Sequence, residues 1–193
     1  MAIHCHHSHD AADALCRTLN QKRANSARVF AADLTRKQDN QALITQTIDW
    51  TGRLDVLVNN ASIFTQTRLE APDDARWNAL FAINVQAPFW LSVAARPHLA
   101  KQQGAIINLT DIHAETPLKG YAEYCQTKAA LTMQTRALAH EFAPNIRVNA
   151  VAPALSPGLS RRIRSAKRNK RKSFPKHYSG ATVRRYLSHK QCF

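Results

Sequence analysis

Glycine is scarce in this chain, with five in 193 residues and none before Gly52. A glycine-rich phosphate turn needs backbone without Cβ atoms to approach a pyrophosphate, so the first 51 residues hold no such turn. Long apolar runs are absent too. No stretch approaches the roughly 18 uninterrupted apolar residues of a membrane helix. Met1-Ala2-Ile3-His4 has neither the charged nor the apolar region of a secretory leader. A cytoplasmic protein with no membrane partner is the expectation. The four cysteines, Cys5, Cys16, Cys125 and Cys192, lie far apart with no CxxC pair. That spacing argues against a disulfide framework and against a zinc site.

Acidic residues are few, 13 against 27 Lys and Arg, for a net charge of +14. The imbalance is local. Residues 161–193 carry 12 of the basic residues and no Asp or Glu, which leaves a net charge of +2 for residues 1–160. A high isoelectric point ordinarily raises nucleic acid as a partner, but here that inference attaches only to the tail. The tail lacks an aromatic platform or glycine-rich spacing, so nucleic acid is the weaker reading. The length and the 45% hydrophobic content suit one globular domain.

Apolar runs alternate with segments of helical period, a βαβα rhythm. Met1 to Cys5, Arg28 to Leu34, Leu54 to Val58, Ala105 to Leu109 and Ile146 to Val151 read as strands. Asp10 to Ala24, Asp39 to Trp50, Asp73 to Gln102 and Tyr121 to Phe142 read as helices. Pro72 and Asp73-Asp74 start the third helix, Gly104 ends it, and Pro144 stops the fourth. This order predicts an α/β fold with a parallel sheet covered on both faces and ligands at the carboxyl ends of its strands. After Pro153 the pattern collapses. Two segments follow: a domain over residues 1–154 and a basic, irregular tail over 155–193 that forms no core layer.

The strongest chemical signal is Tyr124-Cys125-Gln126-Thr127-Lys128 at a helix start. Residues four apart share a helix face, and an ammonium beside a phenol favours phenolate. That pairing predicts a Tyr124 pKa below its usual value near 10 and a proton donor or acceptor at neutral pH. Asn59-Asn60-Ala61-Ser62 follows one strand, Asn84 lies in a helix, and Asp111 ends the next strand thirteen residues before Tyr124.

With these residues the chain resembles the short-chain dehydrogenase/reductase family. The resemblance implies a Rossmann-type doubly wound parallel sheet and a catalytic group of Asn84, Tyr124 and Lys128, with Lys128 also reaching the nicotinamide ribose. It places Asn60, Ala61 and Ser62 at the cofactor. Most of the family has serine where this chain has Asp111. Pteridine reductases look like this chain there, and also in Thr110-Asp111-Ile112-His113-Ala114, in Pro117-Leu118-Lys119, and in Phe64 shortly after Ser62. The resemblance thus implies an Asp111–Tyr124 proton pair, a pterin stacked on Phe64, and reduction of a dihydropterin or folate by NADPH. A helix cap or turn is the structural alternative for Asp111.

His4, His6, His7 and His9 crowd the amino terminus, where a metal-binding tract is the minor reading. The subfamily has a His-x-His-Arg-Ser segment for the adenosine ribose and 2′-phosphate. His4, His6, His7 and Ser8 match it, with His7 in place of the Arg. Asp33 falls where the family has an acidic residue near adenine; a surface carboxylate is the alternative.

Relative to the family, the resemblance implies a sheet lacking its first strand, glycine-rich turn and first helix. Reading the tail one base out of register turns Lys170 to Tyr178 into a string compatible with a segment family members carry. A frameshift between about Ala152 and Ser165 is therefore expected. Relatives are commonly homotetramers, which a complete fold would share. The competing expectations are an inactive remnant and a nucleic-acid binder acting through the tail.

Overall fold

The computed structural model describes residues 1–153 and the strand Thr182–Arg184. Strands β1 (Ala2–Cys5), β2 (Arg28–Ala31), β3 (Val56–Asn59), β4 (Ala105–Leu109), β5 (Arg147–Ala152) and β6 (Thr182–Arg184) are joined by helices. In chain order these are α1 (His9–Lys22), α2 (Lys37–Thr51), α3 (Asp74–Phe81), α4 (Ala87–Lys101) and α5 (Ala122–Glu141). The βαβα rhythm of the sequence is present, and each of these spans up to β5 overlaps its predicted element.

The α/β fold with parallel strands and flanking helices is as expected, but the sheet comes in two pieces. β1 pairs in parallel with β2, while β3, β4 and β5 pair in parallel and β6 adds antiparallel to β5. The division agrees with the expected sheet that lacks one of its strands. Among the described residues β1 and β3 each have a partner on one edge only. The expectation that β3 is buried on both faces also fails, since Val56 and Val58 are 51% and 55% exposed. Both line a cavity of about 600 Å³ that lies between β3 and β1, where no packed layer covers that face. The tail lies outside the described residues except for Thr182–Arg184, which is a strand and not irregular chain.

The pieces share one core. Phe30 of β2, Leu43 and Ile44 of α2, Leu91 of α4, Ile106 of β4 and Val148 of β5 form a single buried cluster. α2 and α4 pack side by side and bridge the two sheets. Two glycines set its corners. Gly52 caps α2 at φ +71°, a conformation costly for other residues. At Gly104 a Cβ would lie 2.5 Å from the Asp55 carbonyl oxygen, so only glycine lets β4 start beside β3.

The long helix predicted over residues 73–102 is two helices around a π turn, Ala82–Gln86. Asp73 caps α3 as predicted, its carboxylate accepting from the amides of Ala75 and Arg76. Pro88 has no N–H to offer the preceding turn, and the wider π turn lies directly before it. Such turns recur at functional sites because they redirect a side chain. Here the redirected residue is Asn84, fully buried.

Candidate active site

The parallel register of β3, β4 and β5 brings Asn59, Leu109 and Val151 to one end of the sheet. Beyond β4 the chain turns through a short 3-10 helix, Ile112–Ala114, and then enters α5. Asp111 caps that turn, its Oδ1 accepting from the His113 amide at 3.0 Å. Its other oxygen, Oδ2, accepts from the Tyr124 hydroxyl at 2.7 Å. The turn cap and the contact with Tyr124 are therefore made by one carboxylate.

Lys128, one turn along α5, is buried and donates from Nζ to the Leu109 carbonyl at 2.9 Å. Its Nζ lies 5.6 Å from the centre of the Tyr124 ring. Burial pushes the ammonium down to about 8, and the Asp111 charge only partly offsets this. Tyr124 moves the opposite way from the sequence expectation. Burial, then the hydrogen bond and charge of Asp111, raise its pKa above the ordinary 10.0. The expected lowering by Lys128 is corrected: the lysine is bonded to a backbone carbonyl, while a carboxylate faces the phenol directly. Tyr124 is thereby held as a protonated phenol.

Asn84 is engaged at both ends of its amide. Its Oδ1 accepts from the Ile63 amide at 2.8 Å and from Ser62 Oγ at 3.1 Å. Its Nδ2 donates to the Ile63 carbonyl and to Thr127 Oγ1, each at 3.0 Å. Thr127 Oγ1 in turn donates to the Tyr124 carbonyl at 2.7 Å. Asn84 thus ties the loop after β3 to the turn of α5 that carries Tyr124. Phe64, in the same loop, stacks on Tyr121 at 4.3 Å and meets Tyr124 edge-on at 4.7 Å. The structure therefore brings Ser62, Phe64, Asn84, Asp111, Tyr124 and Lys128 together.

The amino-terminal candidates make contacts of their own. His4 Nε2 pairs with the Ala32 carbonyl at 3.0 Å. His6 and His7 lie against each other with ring centres 3.6 Å apart, and Ser8 precedes α1 without a side-chain capping bond. Asp33 accepts from Thr35 Oγ1 at 2.7 Å, which chiefly holds its carboxyl below the ordinary value. Asn60 and Ala61 line the cavity between the sheets, together with His4. Among the described residues no group of three or more His, Cys, Asp or Glu gathers to hold a metal. No described helix is long and apolar enough to cross a membrane.

Two features escaped the sequence reading. Buried Asn59, Asn108 and Thr135 form a side-chain chain across β3, β4 and α5, with both links at 2.8 Å. Arg76 of α3 grips Glu123, the neighbour of Tyr124, through two bonds of 2.8 and 2.9 Å.

The family profile described as short chain dehydrogenase matches residues 1–166. The chain belongs to that family. It is 34% identical over 148 residues to glucose and ribitol dehydrogenase homolog 2 of Arabidopsis thaliana, covering 75% of this chain and 50% of that one. It is 33% identical over 141 residues to 2-(S)-hydroxypropyl-CoM dehydrogenase 3 of Xanthobacter autotrophicus, covering 71% and 55%. A double mutant of a Serratia marcescens short-chain dehydrogenase/reductase superposes with a TM-score of 0.73 at 29% identity, covering 77% of this chain and 61% of the other. The chain spans about half the length of the curated relatives it matches. Those relatives are named for sugar, polyol and hydroxypropyl-CoM substrates rather than pterins.

Proposed function

We propose that this chain carries the catalytic part of an NADPH-dependent reductase acting on a C=N bond of a pterin or folate. The observation that carries the reading is the 2.7 Å bond from the Tyr124 hydroxyl to Asp111, with Phe64 set edge-on to the same ring. A phenol kept protonated beside a carboxylate is suited to give a proton, which is what reduction requires.

The nicotinamide end of the cofactor fits what is present: a buried ammonium at Lys128, next to Tyr124 at the carboxyl end of β4. For the pyrophosphate end, the described residues offer no glycine before Gly52. When bound, a reduced nicotinamide supplies hydride to the carbon of the C=N bond. Tyr124 gives its proton to the adjacent nitrogen, which completes the addition of two hydrogens. Lys128 offsets the charge left on the phenolate oxygen, and Asp111 passes a solvent proton back to it. Asn84 holds the loop bearing Ser62 and Phe64 against α5. Tyr121 occupies the stacking face of Phe64, the contact a flat pterin ring takes. His4, His6, His7 and Ser8 are assigned to the adenosine ribose and its phosphate, and Asp33 to adenine, by the resemblance alone.

The divided sheet favours a second reading, a family domain that binds no dinucleotide. One titration separates the two. Adding the purified chain to NADPH at micromolar concentration is expected to shift its fluorescence saturably. Oxidation of NADPH should then depend on dihydrobiopterin and fall by about 100-fold or more in Tyr124→Phe. Absence of NADPH binding establishes the second reading. Binding with turnover of a sugar or polyol but not of dihydrobiopterin overturns the pterin assignment and leaves the family chemistry.

A further inference from the structure

The helical ladder between α3 and α4 is irregular at one place. In the π turn Ala82–Gln86 the Ala87 amide donates to the Ala82 carbonyl, five residues back. Pro88 has no N–H, and its ring keeps the Asn84 carbonyl out of the ordinary four-residue bond. Ala87 and Pro88 are both buried, so water is a poor substitute for bonds that the ladder leaves unmade there.

Gln134 of α5 reaches this place. Its Nε2 donates to the Val85 carbonyl and its Oε1 accepts from the Phe89 amide, each at 3.2 Å. Val85 and Phe89 stand four apart, the pair that an unbroken α-helix bonds directly. A side-chain amide has a donor end and an acceptor end, so it can serve both members of such a pair. We infer that Gln134 is a positioning residue: it holds the π turn open and thereby aims Asn84 at the loop that carries Ser62 and Phe64.

Thr127 and Gln134 lie two turns apart on one face of α5. Thr127 Oγ1 accepts from Asn84 Nδ2 at 3.0 Å, so α5 holds the π turn by the Asn84 side chain and by the backbone just beyond it. Asn84 in turn bonds the Ile63 amide at 2.8 Å and the Ile63 carbonyl at 3.0 Å. A π turn carries one residue more than an α turn, and each residue rotates the helix by about 100°. When the turn closes to α geometry, Asn84 therefore swings relative to α4 and leaves Ile63. The consequence for catalysis rests on the reductase reading of this site. The placement of Asn84 does not.

The test compares the full chain with Gln134→Met, which keeps the length of the side chain and removes both of its hydrogen-bonding groups. Amide hydrogen exchange, read residue by residue, should quicken by about tenfold or more at Phe89 and Ile63 and stay unchanged at Ile106 and Val148 in the sheet. In NADPH oxidation kcat should fall by about tenfold or more, with the KM for NADPH kept. Gln134→Asn carries the same amide on a stem too short to span both groups, so it should repeat the pattern even if the methionine variant does not fold. An unchanged exchange rate at Ile63 overturns the inference. Equal quickening through the sheet also overturns it, in favour of a general packing role. Local quickening in an active enzyme whose kcat is undiminished overturns the positioning role. A wild type that oxidises no NADPH, with Ile63 still released in Gln134→Met, sinks the reductase reading and supports the hold of Gln134 on Asn84.

Discussion

The Tyr124 hydroxyl and Asp111 Oδ2 share a 2.7 Å hydrogen bond, and the same carboxylate caps the turn that leads from β4 toward α5. One side chain thus sets both the path of the chain and the acidity of the phenol. Asp111→Asn removes the charge but keeps a group of the same shape. Burial still raises Tyr124, so its pKa should fall only part of the way back toward 10.0. The check is tyrosinate absorbance against pH in the wild type and the variant, with Tyr124→Phe to identify the last step. An unchanged last step in Asp111→Asn would show that burial alone sets it.

Asn84 makes four side-chain bonds to Ser62, Ile63 and Thr127 while fully buried. Asn84→Ala leaves the Ile63 amide and carbonyl without partners in the interior, at a cost of about 3 kcal/mol. Urea unfolding measures that loss. Hydrogen exchange at Ile63 should accelerate more than exchange in β4, because the loop after β3 is released first. Equal acceleration everywhere would mean that the asparagine serves the whole core and not the loop.

The grip of Arg76 on Glu123 holds the first turn of α5 against α3. The arginine's hydrogen bonds hold the Glu123 carboxyl below its ordinary 4.5. A carboxylate whose pKa is depressed on folding stabilises the fold above its unfolded value and loses that contribution as pH falls through the folded value. Arg76→Met should therefore lower the unfolding midpoint at neutral pH and flatten the decline on the acid side below about pH 4.5. Thermal melts of both proteins between neutral and acid pH test this. Parallel curves would show that Glu123 titrates normally.

The elements were legible in the sequence where local physics decides them. Asp73 capping α3, Gly104 before β4 and the four-residue spacing of Tyr124 and Lys128 all follow from nearby residues. Asp111 beside Tyr124 was legible only through family resemblance, since thirteen residues and a turn separate them. The polarity of the tyrosine shift was not legible. Helical spacing sets the lysine near the phenol but cannot say that its ammonium is spent on the Leu109 carbonyl. The exposed Val56 and Val58 also read as a buried strand, because composition records what a strand suits and not whether its neighbour is present.

Lys128 is expected to cost stability while serving chemistry. Its ordinary value of 10.5 is pushed down to about 8 by burial. A lysine with a lowered folded pKa destabilises the fold wherever it must carry its charge. The penalty is full below about pH 8 and is relieved as pH rises toward 10.5. That shift corresponds to a penalty on the order of 3 kcal/mol at neutral pH, from which the lost bond to the Leu109 carbonyl takes back about 1. Lys128→Met should therefore raise stability to urea at pH 7 by about 2 kcal/mol, and the gain should shrink as pH rises past 8. The same variant should lose NADPH oxidation. A methionine that stabilises equally at every pH would place the benefit in packing and not in the buried ammonium.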